Sequence, residues 1–498
     1  MRGFLASSIG VTCAAALALP GALPASAATS AEASAAAAIP SVPASASAPG
    51  RSGAAAVPGS TQSLPLVPLT AKRASGSAAP PQGVVRRDVR PFSLLGVVWN
   101  DPDAELNGRV QVRTRPTGGR TWSGWQDVET HNHEHAADPG TAERTSGRVR
   151  GATAPLWVGD SDGVELRVRA RTDDRTGHRT DGRDGRTGHR TASAAGSSLP
   201  RGLHLELVDP GDGPAAKSAA GGARTAVSAV TGALAFAGGA VASAGDVAGD
   251  AAGDAVPGIG TGLAPSAPAV LPALSRQATV DEARAEGAAG GGQRVQPYIG
   301  PRPRIVTRRG WGADEGLRER GFAYTKRVKA AFVHHTATGN KYSCSRSASV
   351  IRSIYRYHVS SQGWRDIGYN FLVDKCGNIY EGRAGGVTKA VKGAHTLGFN
   401  SNSMGIAVIG SFGSAKAPAR AVRAVSKLTA WKLGLFGANP RGKTYLKSAG
   451  GNLYRKGKNV RLNVISGHRD GFATDCPGRR LYGKLGSARS SAARYQGR

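Results

Sequence analysis

Aromatic residues are scarce in this chain of 498, at 6%, whereas Gly alone fills 70 positions. That scarcity excludes a packed core running the whole length, so apolar bulk must be concentrated in particular stretches. Acidic side chains are also few: 34 Asp and Glu face 65 Lys and Arg, for a formal net charge of +31. Such a field favours anionic partners, whether nucleic acid, acidic membranes or anionic cell-wall polymers. No recognisable DNA- or RNA-binding motif accompanies the charge, which sets nucleic acid aside as a partner. Long apolar runs are missing beyond the N-terminus. One uncharged stretch, Thr225 to Gly245, is long enough to cross a bilayer. Its larger apolar residues are only Val227, Val230, Leu234, Phe236 and Val241, so we expect a linker and no membrane span.

The N-terminus does carry an apolar run. Arg2 precedes Ile9 to Leu23, and Pro24-Ala25-Ser26-Ala27-Ala28 supplies a small-residue exit. Residues 1–27 read as a secretory signal cleaved after Ala27, which places the mature chain outside the cell. Cys13 lies too early in the run, behind Gly10-Val11-Thr12, to suit lipid attachment. Cysteine is then reduced to Cys344, Cys376 and Cys476. In an exported chain two of the three are expected to pair, leaving a reactive thiol, an intermolecular bridge or a metal ligand.

Residues 28–84 are mostly Ala, Ser and Pro and read as a disordered spacer. Over 85–210 apolar residues alternate with polar ones: Val110 and Val112, then Val164, Leu166 and Val168, then Leu203, Leu205 and Leu207. Period two over short runs predicts a small all-β domain, a sandwich, with Trp99, Trp122, Trp125 and Trp157 as its bulk. A polar tract over 171–199, with Arg-Thr-Gly-His-Arg-Thr at 175 and again at 186, reads as an inserted loop. His131, His133 and His135 alternate, as metal ligands on a strand would. The tract is polar and flanked by Gly and Pro, so it reads as an exposed loop and is assigned no metal.

A Gly/Ala-rich linker is expected over 211–296, a folded domain over 297–486 and a tail over 487–498. In the folded part, strands are predicted at Ala330 to His335, Met404 to Gly410 and Val464 to Ser466. Helices are predicted at Ser349 to His358 and Ala419 to Phe436. A hairpin joins Tyr369 to Val373 with Asn378 to Glu381. The pattern predicts an α/β fold, a mixed β-sheet covered by helices.

His334 and His468 fall at the ends of predicted strands, and Cys476 follows His468 by eight residues. Two histidines and a cysteine would leave the fourth tetrahedral position of a zinc ion open to water, the arrangement of catalytic zinc sites. A metal-held thiolate would also account for the odd cysteine. Spacing alone does not require this reading.

The residues around these positions do more. Phe332-Val333-His334-His335-Thr336-Ala337 is followed by Gly363-Trp364-Arg365-Asp366-Ile367-Gly368-Tyr369-Asn370-Phe371 and Gly377-Asn378-Ile379-Tyr380-Glu381-Gly382-Arg383. Gly393-Ala394-His395-Thr396, Asn402-Ser403-Met404-Gly405-Ile406 and Gly467-His468-Arg469-Asp470 with Cys476-Pro477 complete the series. Over roughly 305–485 the chain resembles the N-acetylmuramoyl-L-alanine amidase type 2 and peptidoglycan recognition protein family.

The resemblance implies Zn2+ on His334, His468 and Cys476, with His335 on the opposite face of its strand. It implies a catalytic Tyr369, a Thr474 placed to hydrogen-bond an oxyanion, a substrate-groove His395 and a Cys344–Cys376 disulfide. Cytosolic amidases of this type carry a glutamate at the position of Ala407, which this chain lacks, so weight shifts to Tyr369. Ala384, Gly385 and Gly386 follow neither pattern that reads the third stem-peptide residue, so no preference there carries over. The implied activity is hydrolysis of the bond between N-acetylmuramic acid and L-alanine of peptidoglycan by a secreted, wall-associated enzyme. The alternative is a non-catalytic recognition protein of the same fold. Such relatives lose the cysteine ligand, and Cys476 is present.

Overall fold

In a computed structural model of the chain, the described residues are 58–69, 81–86, 88–171, 199–213, 268–289 and 296–498. The expected signal peptide, the stretch Thr225 to Gly245 and nearly all of the polar insertion lie outside them. Among the described residues no helix is long and apolar enough to cross a membrane.

The first half is all β, as its period-two pattern requires. The strands are β1 (Ser60–Pro65), β2 (Val67–Pro68), β3 (Gln82–Arg86), β4 (Phe92–Trp99), β5 (Gly108–Pro116), β6 (Gln126–Val128), β7 (Gly151–Ala152), β8 (Leu156–Ala170) and β9 (His204–Asp209). They pair in the order β1-β9-β4-β8-β3-β2, with β5 on β8 and β6, and β7 on β4. Each alternating apolar set named from the sequence enters one core: Val110 and Val112, Val164 to Val168, and Leu203 to Leu207.

Two corrections follow. Strands β1 and β2 lie within the stretch read as spacer, where Leu64 and Leu66 pack on the core. Their prolines fit because both are edge strands, where a missing N–H costs no ladder bond. Trp122 and Trp125 do not enter the core. They lie beyond β5, with Arg113 over both rings and Arg167 over Trp125, which is 37% exposed. A guanidinium on a ring face lets an aromatic sit at the surface.

The second half is the expected mixed sheet. Its elements are β10 (Val270–Leu271), α1 (Arg276–Ala289), β11 (Ile305–Val306), α2 (Arg308–Trp311), β12 (Ala330–His335), α3 (Ser347–Arg356), β13 (Phe371–Val373), β14 (Ile379–Glu381), β15 (Ser403–Val408), α4 (Ala419–Leu435), β16 (Lys443–Lys447), β17 (Asn459–Asn463), β18 (Ile465–Gly467), α5 (Arg479–Tyr482) and α6 (Leu485–Gln496). The main sheet runs β10-β11-β14-β13-β15-β12-β18, with β12 parallel to both β15 and β18. Helix α4, amphipathic as predicted, covers one face with Ala421, Val425, Leu428 and Trp431.

The linker ends earlier than expected. Arg302 N donates to Thr279 Oγ1 of α1 at 2.9 Å, which ties that helix to the domain. The expected tail is instead helix α6, where Ala488 and Ala492 are buried and Gln496 donates to the Ala430 carbonyl at 3.0 Å. Small residues gave no visible apolar stripe, yet they allow close packing on α4. The hairpin β16–β17 was not foreseen either; Leu446, Val460 and Leu462 pack it on Phe332 and Phe399. Cys344 and Cys376 are disulfide-bonded, tying the turn before α3 to the β13–β14 turn. Closing a loop of that size contributes about 3 kcal/mol in the chain-entropy view.

The two halves share a core. Every residue of β4 is buried. Leu95, Val97 and Trp99 point into the β-domain, while Leu94 and Val98 pack with Val350, Ile351 and Ile354 of α3. Gly96 lies between them, and a Cβ there would stand 2.2 Å from the Tyr357 hydroxyl. Trp157, expected in the β core, packs in this shared cluster instead.

Candidate metal centre

The strand register builds the site. His334 is the penultimate residue of β12 and lies opposite Ala407 of β15, while Val333 lies opposite Gly467, the last residue of β18. His468 follows at once, so both histidines stand at the carboxyl ends of parallel strands, where α/β sheets open their ligand crevices. His335 points to the other face, as alternation requires, and its Nδ1 accepts from Phe412 N at 3.3 Å. Cys476 is buried and unpaired, with Sγ 3.8 Å from His334 Nδ1.

A fourth donor belongs to the group. His135, from the β-domain, brings Nε2 to 3.5 Å from Cys476 Sγ. Its ring centroid is 4.5 Å from that of His468 and 5.3 Å from that of His334. One donor atom from each of His135, His334, His468 and Cys476 fits within 4.8 Å of all the others, and all four residues are buried. At His135 this corrects the expectation of an exposed loop without a metal role; His131 is exposed as expected, and neither it nor His133 is in the group. Polarity and flanking Gly and Pro mark a loop, but do not say what covers it.

The arrangement fits an ion. Both ring nitrogens of His468 are buried without a hydrogen-bond partner, as is Nδ1 of His135. Orphaned buried polar atoms are costly unless something satisfies them. Three imidazoles and a thiolate suit zinc rather than the hard cations that prefer oxygen. Tetrahedral bonds of about 2.0–2.3 Å place ligand atoms roughly 3.3–3.8 Å apart, close to the 3.5 and 3.8 Å from Cys476 Sγ to His135 and His334. Burial first, and neighbouring imidazoles second, hold His135, His334 and His468 well below the ordinary histidine range. They are therefore neutral, the form that binds metal. Burial pushes the Cys476 thiol up, a preference that a coordinated cation reverses.

The other expected site residues surround this group. The Tyr369 ring lies 5.5 Å from His334 and 5.9 Å from His135, centroid to centroid. Thr474 donates its hydroxyl to Glu134 Oε1 at 2.7 Å and accepts from Cys476 N at 3.1 Å. His395 is wholly buried behind His334, its Nδ1 3.3 Å from His334 Nε2 and 3.0 Å from Thr396 Oγ1. Its contacts are thus with a candidate ligand, where a group that orients a metal-binding imidazole would stand.

His135 arrives on residues 129–150, the loop between β6 and β7. The Glu134 carbonyl accepts from Leu397 N at 2.9 Å, and Asp138 Oδ1 accepts from Gly398 N and Asn400 Nδ2. Ala137 and Val149 pack on Trp364 and Ala394. Glu143 receives both Arg383 nitrogens at 2.8 and 2.9 Å, each side chain more than nine-tenths buried. Gly363, at φ +73°, makes room for the loop: a Cβ there would meet the Arg148 carbonyl oxygen at 2.1 Å.

Comparison with known proteins agrees with this division. Residues 324–479 match the N-acetylmuramoyl-L-alanine amidase family, and residues 45–194 match the Rv3811 N-terminal galactose-binding domain-like family. Peptidoglycan-recognition protein SC2 of Drosophila simulans is 32% identical over 184 residues, 36% of this chain and 84% of that protein. A human N-acetylmuramoyl-L-alanine amidase is 34% identical over 160 residues, 31% of this chain and 23% of its own length. Among solved structures, wild-type Drosophila PGRP-LB is 27% identical with a TM-score of 0.29, covering 37% of this chain and 92% of its own.

Proposed function

The chain belongs to the peptidoglycan recognition protein and N-acetylmuramoyl-L-alanine amidase family, and from that premise we propose a secreted, zinc-dependent amidase. Its reaction is hydrolysis of the amide bond between N-acetylmuramic acid and L-alanine. The observation that carries this reading is the buried set of imidazoles and one unpaired thiol gathered at the strand ends, with ring nitrogens left unsatisfied. When bound on His334, His468 and Cys476, Zn2+ supplies a Lewis acid and an activated water.

The chain's own residues do the rest. The Tyr369 hydroxyl donates to the oxygen that becomes negative in the tetrahedral intermediate. The Thr474 hydroxyl, freed from Glu134, is a second neutral donor. His395 holds His334 in orientation. Ala407, opposite His334 in register, supplies no base. The net charge of +31 holds the protein to anionic wall polymers and peptidoglycan. A recognition protein that binds without cutting would have no use for the thiol, and Cys476 favours the enzyme.

The test is digestion of purified wall with and without chelator, with new ends identified by mass spectrometry. New muramic acid and L-alanine termini are expected, lost with chelator and in Cys476→Ser. Binding with no new ends under any condition, including variants that open the site, would leave only recognition.

A further inference from the structure

The site just described is closed. His334 and His468 have no exposure, Cys476 2% and Tyr369 4%. A cavity of ≈ 510 Å³ lies beside it, walled by His131, His133 and Glu134 of the loop and by Arg469 and Asp475. Cys476, His135 and Thr474 reach its wall, but Tyr369, His334 and His468 do not line it. A polymer of sugar and peptide can reach Thr474 from this cavity, but it has no route to Tyr369 or to the two histidines at the strand ends.

The loop also engages the donor set, the Thr474 hydroxyl and the neighbouring Trp364 separately. His135 stands at the fourth position of the donor set. Glu134 takes the Thr474 hydroxyl. Ala137 and Val149 cover Trp364. A zinc ion with four protein ligands is the closed, structural type, whereas catalysis keeps one position for water. On the amidase side, three ligands suffice for such an open site, so the fourth is an addition made by the other domain.

We propose that His135 is a fourth protein ligand to the metal, and that the loop over 129–150 holds the enzyme in a latent form until it is withdrawn. This rests on the amidase reading for its consequence, but not for the ligand itself. The loop suits a removable part. It forms no strand, and side chains with two isolated backbone bonds, rather than a ladder, hold it down. Residues 145–148 are exposed, so the loop can be reached from solvent. The domain behind it has a different fate: the shared core on α3 is apolar and buried, and it keeps the β-domain in place when the loop lifts.

Cobalt(II) substitution of the full chain tests the ligand directly. In the wild type the visible spectrum should not respond to added azide, because no position is exchangeable. In His135→Ala it should shift on azide addition. Zinc retention against a chelator should weaken at least about tenfold, the least that loss of an outer-shell partner typically costs. New wall ends should appear faster in His135→Ala, and faster still in His135→Ala with Glu143→Gln, which frees the docked loop as well. A wild-type spectrum as sensitive to azide as the variant's, with equal zinc retention, would overturn the proposal. So would shifted spectra with no gain in wall cutting over a measurably active wild type, which would remove the latent role. Shifted spectra with no new ends from any variant would uphold the ligand and remove the amidase reading, so the two failures are distinguishable.

Discussion

Two regions supply donors to one metal centre, and they are held by different physics. His334 and His468 are placed by backbone: parallel strands β12 and β18 fix their ends in register, and neither end can move without breaking a ladder. His135 is placed on a loop without regular structure, mostly by side chains: Asp138 on Asn400, Glu143 on Arg383 and two small apolar contacts on Trp364, with isolated backbone bonds from Leu397 N to the Glu134 carbonyl and from Arg150 N to the Gln362 carbonyl. The first region is preorganised and the second is conditional. A centre built from both can switch from four protein ligands to three without disturbing the sheet that carries the chemistry.

The sharpest way to separate the regions is to remove one hydroxyl from the preorganised side. Tyr369→Phe keeps the ring packed against His334 and removes no metal ligand. Loss of one oxyanion donor typically costs about 10²–10³ in rate. Measured in the His135→Ala background at equal zinc occupancy, wall hydrolysis should fall by that order while peptidoglycan binding holds. Equal rates would show that Tyr369 only packs, and that the preorganised side contributes its ligands alone.

That division also governs what the sequence disclosed. Strand β12, the hairpin β13–β14 and helix α4 were legible because each shows its own period, and the pairs His334/His335 and His468/Cys476 sit in motifs that the family resemblance places. The disulfide was legible by the same resemblance. The loop was not. Its anchors, Asp138, Glu143 and His135, are ordinary polar residues whose partners lie 240 to 341 positions away, and no local pattern announces a contact across that distance. Helix α6 stayed hidden because alanines buried it without a stripe of large side chains. The one available signal for His135 was the alternation of three histidines, set aside because a loop was assumed to be exposed.

The conditional side can be loosened by one atom. Burial would raise the Glu143 carboxyl, but Arg383, with Arg365 beside it, outweighs burial and holds it below the usual range. A depressed carboxyl contributes its stability above the unfolded pKa of 4.5 and loses it as pH falls through the lower folded value. Acid should therefore release the loop, with Asp366 remaining near Arg383 as its other carboxylate. Glu143→Gln removes the charge at neutral pH, and a hydrogen bond to a charged group is worth about 1.5–3 kcal/mol. Protection against hydrogen exchange over 131–150, corrected for the intrinsic rate at each pH, should fall in Glu143→Gln at pH 7 and in the wild type as pH drops below 4.5. Unchanged protection in the variant would place the hold elsewhere, on Asp138 or the Trp364 contacts.

The preorganised side responds to pH with the same sign, but in a higher window. Lys432 of α4 is buried, donating to the Val387 and Lys389 carbonyls, and burial pushes its pKa down to about 7. Glu286 and Glu381 raise it and Lys389 lowers it further, but burial dominates. A lysine depressed in the folded state binds fewer protons there than when unfolded, so stability rises with pH from about 7 towards the unfolded value of 10.5. Below 7 both states are protonated and the cost of the buried charge is fully present. The gain between pH 7 and 8 is on the order of 1 kcal/mol, since one pKa unit corresponds to about 1.4 kcal/mol. Lys432→Met keeps the length and removes the titration. Denaturant unfolding at pH 7, 8 and 9 should give a rising wild-type curve and a flatter variant curve. Parallel curves would mean that Lys432 keeps its proton in the fold, and that its two carbonyl acceptors compensate for burial.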